Sequence, residues 1–222
     1  MLHNFFEYFI KKHGTPDNCM PLSNEEHLKV RSVFPSHLAE FYTAHGRCIL
    51  RSGRLQLCHP NDLEPVLKLA LKSDRDLNSN SVHAFAYTAF GDIYFFHEKY
   101  GCGSIELLTG NVFNEDLTSP PPLGSDIKNS IFVPFSLSNE SLDTFDTYGK
   151  PLFSRAHKAL GPLGVGDCYG FVPALELGGD PSIECLKKLR APEHFSIISQ
   201  LKTFNLIKTL DHGQTTIERQ IG

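Results

Sequence analysis

The sequence predicts an α+β protein built as two small mixed domains, with helices packed on short antiparallel sheets. Three observations carry this reading. Stretches with apolar residues at i, i+3, i+4 and i+7 alternate with shorter stretches in which apolar residues recur at every second position. The period-two stretches come in neighbouring pairs joined by short glycine-bearing turns, which is how antiparallel hairpins are written. The run Thr118-Ser119-Pro120-Pro121-Pro122 is a stiff, exposed connector. It divides the chain into an expected first domain over 1–117, a connector over 118–130 and a second domain over 131–222.

Phe5, Phe6, Phe9 and Ile10 make one face of a first helix, which Gly14 stops. Residues 15–23, with two prolines, read as a loop. Residues 28–33 read as helix, and Pro35 opens another that carries Leu38, Phe41 and Tyr42 as far as Gly46. Residues 48–58, CILRSGRLQLC, read as a hairpin turning at Ser52-Gly53. His59-Pro60-Asn61-Asp62 starts a helix with Leu63, Val66, Leu67, Ala70 and Leu71 on its apolar face. Residues 74–81 are polar and loop-like. Residues 82–90 and 93–97 form a second hairpin about a two-residue Gly91-Asp92 turn. Gly101-Cys102-Gly103 leads into a strand at 105–108, and 131–137 reads as a strand beyond the connector.

In the second half, Phe153, Ala156 and Leu160 lie on one stripe of a helix over 151–160. Gly161 sits where a left-handed residue closes a helix, and Pro162 cannot continue it. Gly164 and Gly166 let the chain reverse, and Asp167 suits a turn. From 169 to 177 the side chains of Tyr169, Phe171, Leu175 and Leu177 keep a period of two, so a strand with one buried face is expected. Pro173 makes that strand an edge or a bulged one, and Gly178-Gly179 ends it. Residues 180–189 fit no single element. Pro192 fits the first turn of a last helix, Glu193 complements its positive end, and Phe195, Ile198 and Leu201 face one way.

At 222 residues the chain can bury a sizeable core, and 17 phenylalanines with no tryptophan make that core phenylalanine-based. The net charge of −4 argues against a general affinity for nucleic acid, so no direct nucleic-acid partner is expected. No apolar run approaches the roughly 18 residues of a membrane span, so no membrane partner is expected. The first residues have no basic region ahead of an apolar core, unlike a signal peptide. Cys19, Cys48, Cys58, Cys102, Cys168 and Cys185 include no C-x-x-C pair and read as reduced thiols.

The residues compose no catalytic, cofactor or metal site. With 11 histidines in the chain, Cys168, in a turn before the strand, is the best placed thiol for a Cys-His dyad, and it reads as a packed or idle thiol instead. His194 follows Glu193 without an H-E-x-x-H pattern, and Cys48, Cys58 and His59 lack a second close ligand pair. Gly161, Gly164 and Gly166 lack the strand before and the helix after that a phosphate loop requires, and read as turn glycines. There is no G-x-x-x-x-G-K-[ST] and no G-x-S-x-G.

The stretch GPLGVGDCYGFVPALELGGDPSIECLKKLRAPEHFSIISQL, with the lead-in Gly149-Lys150-Pro151-Leu152-Phe153, resembles the C-terminal domain of type VI secretion DNase-immunity proteins. Gly161, Tyr169, Gly170, Phe171, Pro173, Gly178, Gly179, Glu193 and His194 carry the likeness in order. The resemblance implies that they hold the fold rather than touch a toxin. Asp167-Cys168 stands where that family usually has Glu-Met, and Phe195 where leucine is usual. The first half resembles the GAD-like domain of the same proteins through Gly14-Thr15-Pro16, the helix from Pro35 to Gly46, Gly53 with His59-Pro60, and Ala89-Phe90-Gly91-Asp92. Tyr42, Arg47 and Leu57 occupy positions that are tryptophan-rich in the family.

The resemblance implies an immunity protein without enzymatic activity or cofactor. It would bind and neutralise a cognate nuclease effector in the bacterial cytoplasm by protein–protein contact. Residues 111–148 hold Glu115, Asp116, Asp126, Glu140, Asp143 and Asp146 against Lys128 alone, a segment charge of −5. An acidic surface is what a DNase with a basic cleft would meet, so these six carboxylates are the expected toxin-binding residues. A solvated acidic loop is the plainer reading of the same run. A general protein-binding adaptor is the alternative function. An enzyme of amide or nucleotide chemistry is a further one, prompted by the distant link of GAD-like domains to tRNA-amidotransferase insert domains.

Overall fold

The computed structural model describes residues 3–72, 74–122, 125–210 and 213–221. The first helix, α1 (Asn4–His13), buries Phe6 and Phe9 and ends at Gly14, whose φ of +91° suits glycine. Strand β1 (Asp17–Met20) lies inside the stretch expected to be loop. It is wholly exposed and paired only through its backbone to β2 (Arg47–Leu50), so no apolar alternation marks it. Helix α2 (Asn24–Val33) starts four residues before the expected boundary, because Ser23 and Glu26 close a reciprocal capping box. Helix α3 (Ser36–His45) runs from Pro35 to Gly46 as its sequence predicts.

Strand β3 (Leu55–Leu57) closes the first hairpin with β2. Helix α4 (Glu64–Leu71) follows the His59–Asp62 turn. Strands β4 (Val82–Thr88), β5 (Asp92–His97), β6 (Gly101–Glu106) and β7 (Asn111–Phe113) then form a meander. The turn between β4 and β5 is Ala89-Phe90-Gly91 and Asp92 is already strand, which corrects the two-residue Gly91-Asp92 turn. Ala89 and Phe90 are buried, so packing sets the turn length.

Residues 131–137 are not a strand. Ile131 lies within a 3₁₀ turn (Ile127–Phe132) that runs into a short helix, α6 (Val133–Ser136), after α5 (Glu115–Thr118). Pro134 has no N–H to give a ladder and fits a helical first turn, while Ile131 and Phe135, four apart, both bury. Helix α7 (Phe153–Leu160) ends at Gly161, φ +81°, as expected. Strand β8 (Asp167–Phe171) is shorter than the expected 169–177. A cis Val172–Pro173 bond follows it, and Leu175–Leu177 is a 3₁₀ turn. Pro173 therefore lies beyond the strand rather than in a bulge. Strand β9 (Leu186–Arg190) resolves the ambiguous run and pairs with β8 as a separate two-stranded sheet. Helix α8 (Ala191–Leu201) buries Phe195 and Ile198, whereas Leu201 is exposed. Strands β10 (Phe204–Thr209) and β11 (Thr215–Ile221) complete the chain.

The main sheet has nine strands in the order β1-β2-β3-β4-β5-β6-β7-β10-β11, antiparallel except where β10 joins β7 in parallel. The last two strands thus extend the sheet that the first half builds. Alternation along β5 sends Ile93 and Phe95 to one face and Tyr94 and Phe96 to the other. The Tyr94 face carries a phenylalanine-rich core of Phe6, Phe9, Phe41, Phe85 and Phe135 under α1, α3 and α6. The Phe95 face is covered by α4 and α8 through Leu67, Leu71, Phe195 and Ile198. A third core joins Ala89 and Phe90 to Leu152, Phe153, Tyr169 and Phe171, and so seats the two-stranded sheet on the β4–β5 turn. Among the described residues no helix is long and apolar enough to cross a membrane.

Candidate functional site

The acidic segment divides into carboxylates that face solvent and carboxylates spent on the fold. Glu115 opens α5 and is exposed. Asp116 beside it is half-buried, and burial, then Glu115, raises its pKa. Asp126 is exposed and accepts the Lys128 N–H at 3.1 Å. Glu140 is exposed on the loop before α7.

Asp143 and Asp146 are placed differently. The Asp143 side chain is 3% exposed and pairs with Arg54 at 3.0 Å. Its Oδ1 accepts the N–H groups of Thr144, Leu152 and Phe153 at 2.9, 3.2 and 2.8 Å, so it caps the start of α7. Asp146 is buried and accepts the N–H groups of Tyr148 and Lys150, each at 2.9 Å, and Arg155 Nη1 at 2.5 Å. The Lys150 N–H, then Arg155, holds its carboxyl below the usual range.

Asp146 thereby braces a tight turn closed by the Phe145–Pro151 bridge, with Gly149 at φ +72°. On that turn Tyr148 is 85% exposed and Phe145 39%. An exposed aromatic pair on a rigid turn can anchor a partner at little entropic cost. In the sequence Asp146 registers as a charge, and Tyr148 carries no signal of its own. The turn signal, an Asp three residues before a Gly, was present in Asp146-Thr147-Tyr148-Gly149.

The motif residues form a structural unit. Tyr169 is buried, donates to the Gly161 carbonyl at 2.6 Å, and has its pKa pushed up to about 12 by burial. Gly161 and Gly178 have positive φ. Gly170 lies against the His194 ring, and an added Cβ on Gly179 would collide with the Pro173 carbonyl. Phe171 is buried in the third core. Glu193 is exposed in the first turn of α8, and burial lowers the pKa of His194 against an opposing pull from Glu176. Pro173 is exposed. Cys168 is not in a turn but inside β8, fully buried, and burial pushes its thiol up, the reverse of what a nucleophile needs. Cys48, Cys58 and Cys102 are raised by burial in the same way.

Residues 4–109 match the GAD-like domain, and residues 131–202 match the C-terminal domain of the T6SS immunity protein Tdi1. The chain is thus similar to a GAD-like domain over its first half and to the C-terminal domain of a T6SS immunity protein over much of its second. Among solved structures it is similar to that of Atu4351 from Agrobacterium tumefaciens, with a TM-score of 0.89, 29% identity and 98% of each chain covered. No curated protein matches it.

Proposed function

We propose that this chain is an immunity protein that binds a cognate T6SS DNase toxin and neutralises it by protein–protein contact, in the cytoplasm of the bacterium that makes it. The observation that carries this reading is the match of residues 131–202 to the Tdi1 C-terminal domain. The protein acts by its surface and transforms no substrate. In this reading Tyr148 and Phe145 anchor the toxin, and Glu115, Asp116, Asp126 and Glu140 steer it in. Asp143 and Asp146 act indirectly, by fixing the loops that carry the others. Charge steering sets the rate of capture and buried anchors set the rate of release. A standard interface buries on the order of 1,600 Å² in total, more than one turn supplies, so the neighbouring acidic surface takes part.

The test is co-expression with a nuclease encoded by a neighbouring gene, where one is found, scoring survival and plasmid integrity. Protection with intact plasmid is the expected result. Cells that die with degraded DNA despite ample protein would overturn the reading. Capture of a partner that is neither a nuclease nor another toxin would favour a general adaptor instead.

A further inference from the structure

A cleft of about 490 Å³ lies where the two matched domains meet. Its walls are Lys12 and His13 from the end of α1, Arg51, Ser52 and Arg54 from the β2–β3 turn, and Asn139, Phe153, Ser154 and His157 from the second half. That volume lies within the range of small-molecule sites, roughly 300–1,000 Å³. No lining side chain is acidic, although the whole chain carries −4. Lys12, Arg51 and Arg54 bring three positive charges, and Asp143, paired with Arg54, offsets one. The balance is +2.

The cleft is built. Arg51 donates to the Leu137 carbonyl at 2.6 Å and to Asn139 Oδ1 at 2.5 Å. Arg54 lies over the Phe153 ring at 4.1 Å and donates to Ser154 Oγ at 3.2 Å. Arg51 Nε and His157 Nδ1 are buried with no hydrogen-bond partner among the described residues. Arg51 and Ser52 adopt φ of +53° and +59°, and Gly53 follows at +101°. The four-residue connection 51–54 thus holds three consecutive residues at positive φ, a region that Gly and Asn enter most readily. An arginine and a serine held there point to a requirement other than the turn itself. His13 is pushed down by burial, then by Arg51 and Lys12, in keeping with an electropositive cleft.

We propose that this cleft binds a phosphate monoester, with Lys12, Arg51 and Arg54 supplying the charge and Ser52, Ser154 and Asn139 completing the hydrogen bonds. A carboxylate of charge −1 would leave the +2 site half compensated, whereas a phosphate monoester carries about −1.5 to −2 at pH 7. Guanidinium groups suit phosphate oxygens geometrically, and Phe153 offers an apolar wall for the rest of the molecule. The proposal stands apart from toxin binding, since the Tyr148 turn does not line the cleft.

Isothermal titration of the full chain with inorganic phosphate, adenosine 5′-monophosphate and adenosine tests it. The expected result is saturable binding of the two phosphates and none of adenosine. Tighter binding of the monophosphate identifies an organic ester as the ligand, and equal binding identifies free phosphate. Loss of one charge–phosphate contact weakens binding about tenfold. Lys12→Gln, at an exposed position, is expected to do so with an unchanged melting curve, and Arg51→Gln to do so at least as strongly. Lys68→Gln, on α4 across the sheet, is expected to leave binding unchanged. No saturable phosphate binding, equal binding of adenosine, or a well-folded Lys12→Gln protein that binds phosphate like the parent would each overturn the proposal.

Discussion

Gly170 on β8 and His194 on α8 are fitted to one another so closely that a methyl group on the first would lie 2.6 Å from Cδ2 of the second. The strand can approach the helix only because residue 170 has no side chain, and burial lowers the pKa of the imidazole where they meet. Gly170→Ala is therefore expected to destabilise the protein by about 1–3 kcal/mol, the range for overpacking a tight site. Urea denaturation measures it. In a His194→Ala background the same change should cost much less, because the ring it strikes is gone. Equal costs in both backgrounds would place the strain elsewhere.

How far this unit is legible from sequence depends on whether its signals are local. Gly161, Pro192 and the α7 stripe announce themselves because caps and amphipathic faces are properties of consecutive residues. Strand β1 does not, since its side chains are all exposed and only the backbone of β2 recruits it. Strand β10 depends on a parallel partner, β7, ninety-odd residues away, and its run Phe204-Asn205-Leu206-Ile207 alternates too weakly to declare itself. At the site, composition found the acidic segment but not the division of labour within it. Only the fold brings Arg54 to Asp143 and Arg155 to Asp146, and so separates two structural carboxylates from four that face solvent or lie near it.

The Arg54–Asp143 pair ties the β2–β3 turn to the start of α7. With its side chain 3% exposed, Asp143 satisfies one guanidinium and three backbone N–H groups. Asp143→Ala leaves all of them without that acceptor, and a loss of about 3 kcal/mol or more is expected. Thermal denaturation should show a lower midpoint, and proteolysis should cut first between residues 139 and 152. A variant as stable as the parent would mean that water replaces the carboxylate freely.

Asp92 sets a dependence on pH. Burial, then Glu106 opposite it on β6, pushes its carboxyl up to about 7, from an ordinary value of 3.8. Between those values the folded chain holds a proton that the unfolded chain releases, so stability falls as pH rises through the window. The loss at pH 8 is at most about 4 kcal/mol, since each pKa unit is worth about 1.36 kcal/mol and partial exposure reduces the total. His83 works the other way. Burial first, then Lys29 and His97, depress it to about 4, so it costs stability as pH falls below 6.5. Asp92→Asn should thus match the parent near pH 4 and exceed it at pH 8, with His83 cancelling in the comparison. Parallel urea midpoints of parent and variant that do not diverge with pH would rule this out.

The anchoring and steering proposed for the acidic segment make separable predictions for the proposed toxin complex. Tyr148 is 85% exposed and its side chain holds nothing in place, so Tyr148→Ala should leave the melting temperature unchanged. If Tyr148 fills a pocket on the toxin, its loss costs about 2 kcal/mol or more of binding, seen as faster dissociation. Replacing Glu115, Asp126 and Glu140 together by Gln, Asn and Gln should act on association, lowering its rate and flattening its dependence on salt while dissociation barely moves. Asp146→Ala should lower both stability and affinity, because the turn that presents Tyr148 rests on its carboxylate. Surface plasmon resonance at several ionic strengths distinguishes the three cases. An unchanged dissociation rate in Tyr148→Ala, together with unchanged association in the triple variant, would move the interface off this face of the protein altogether.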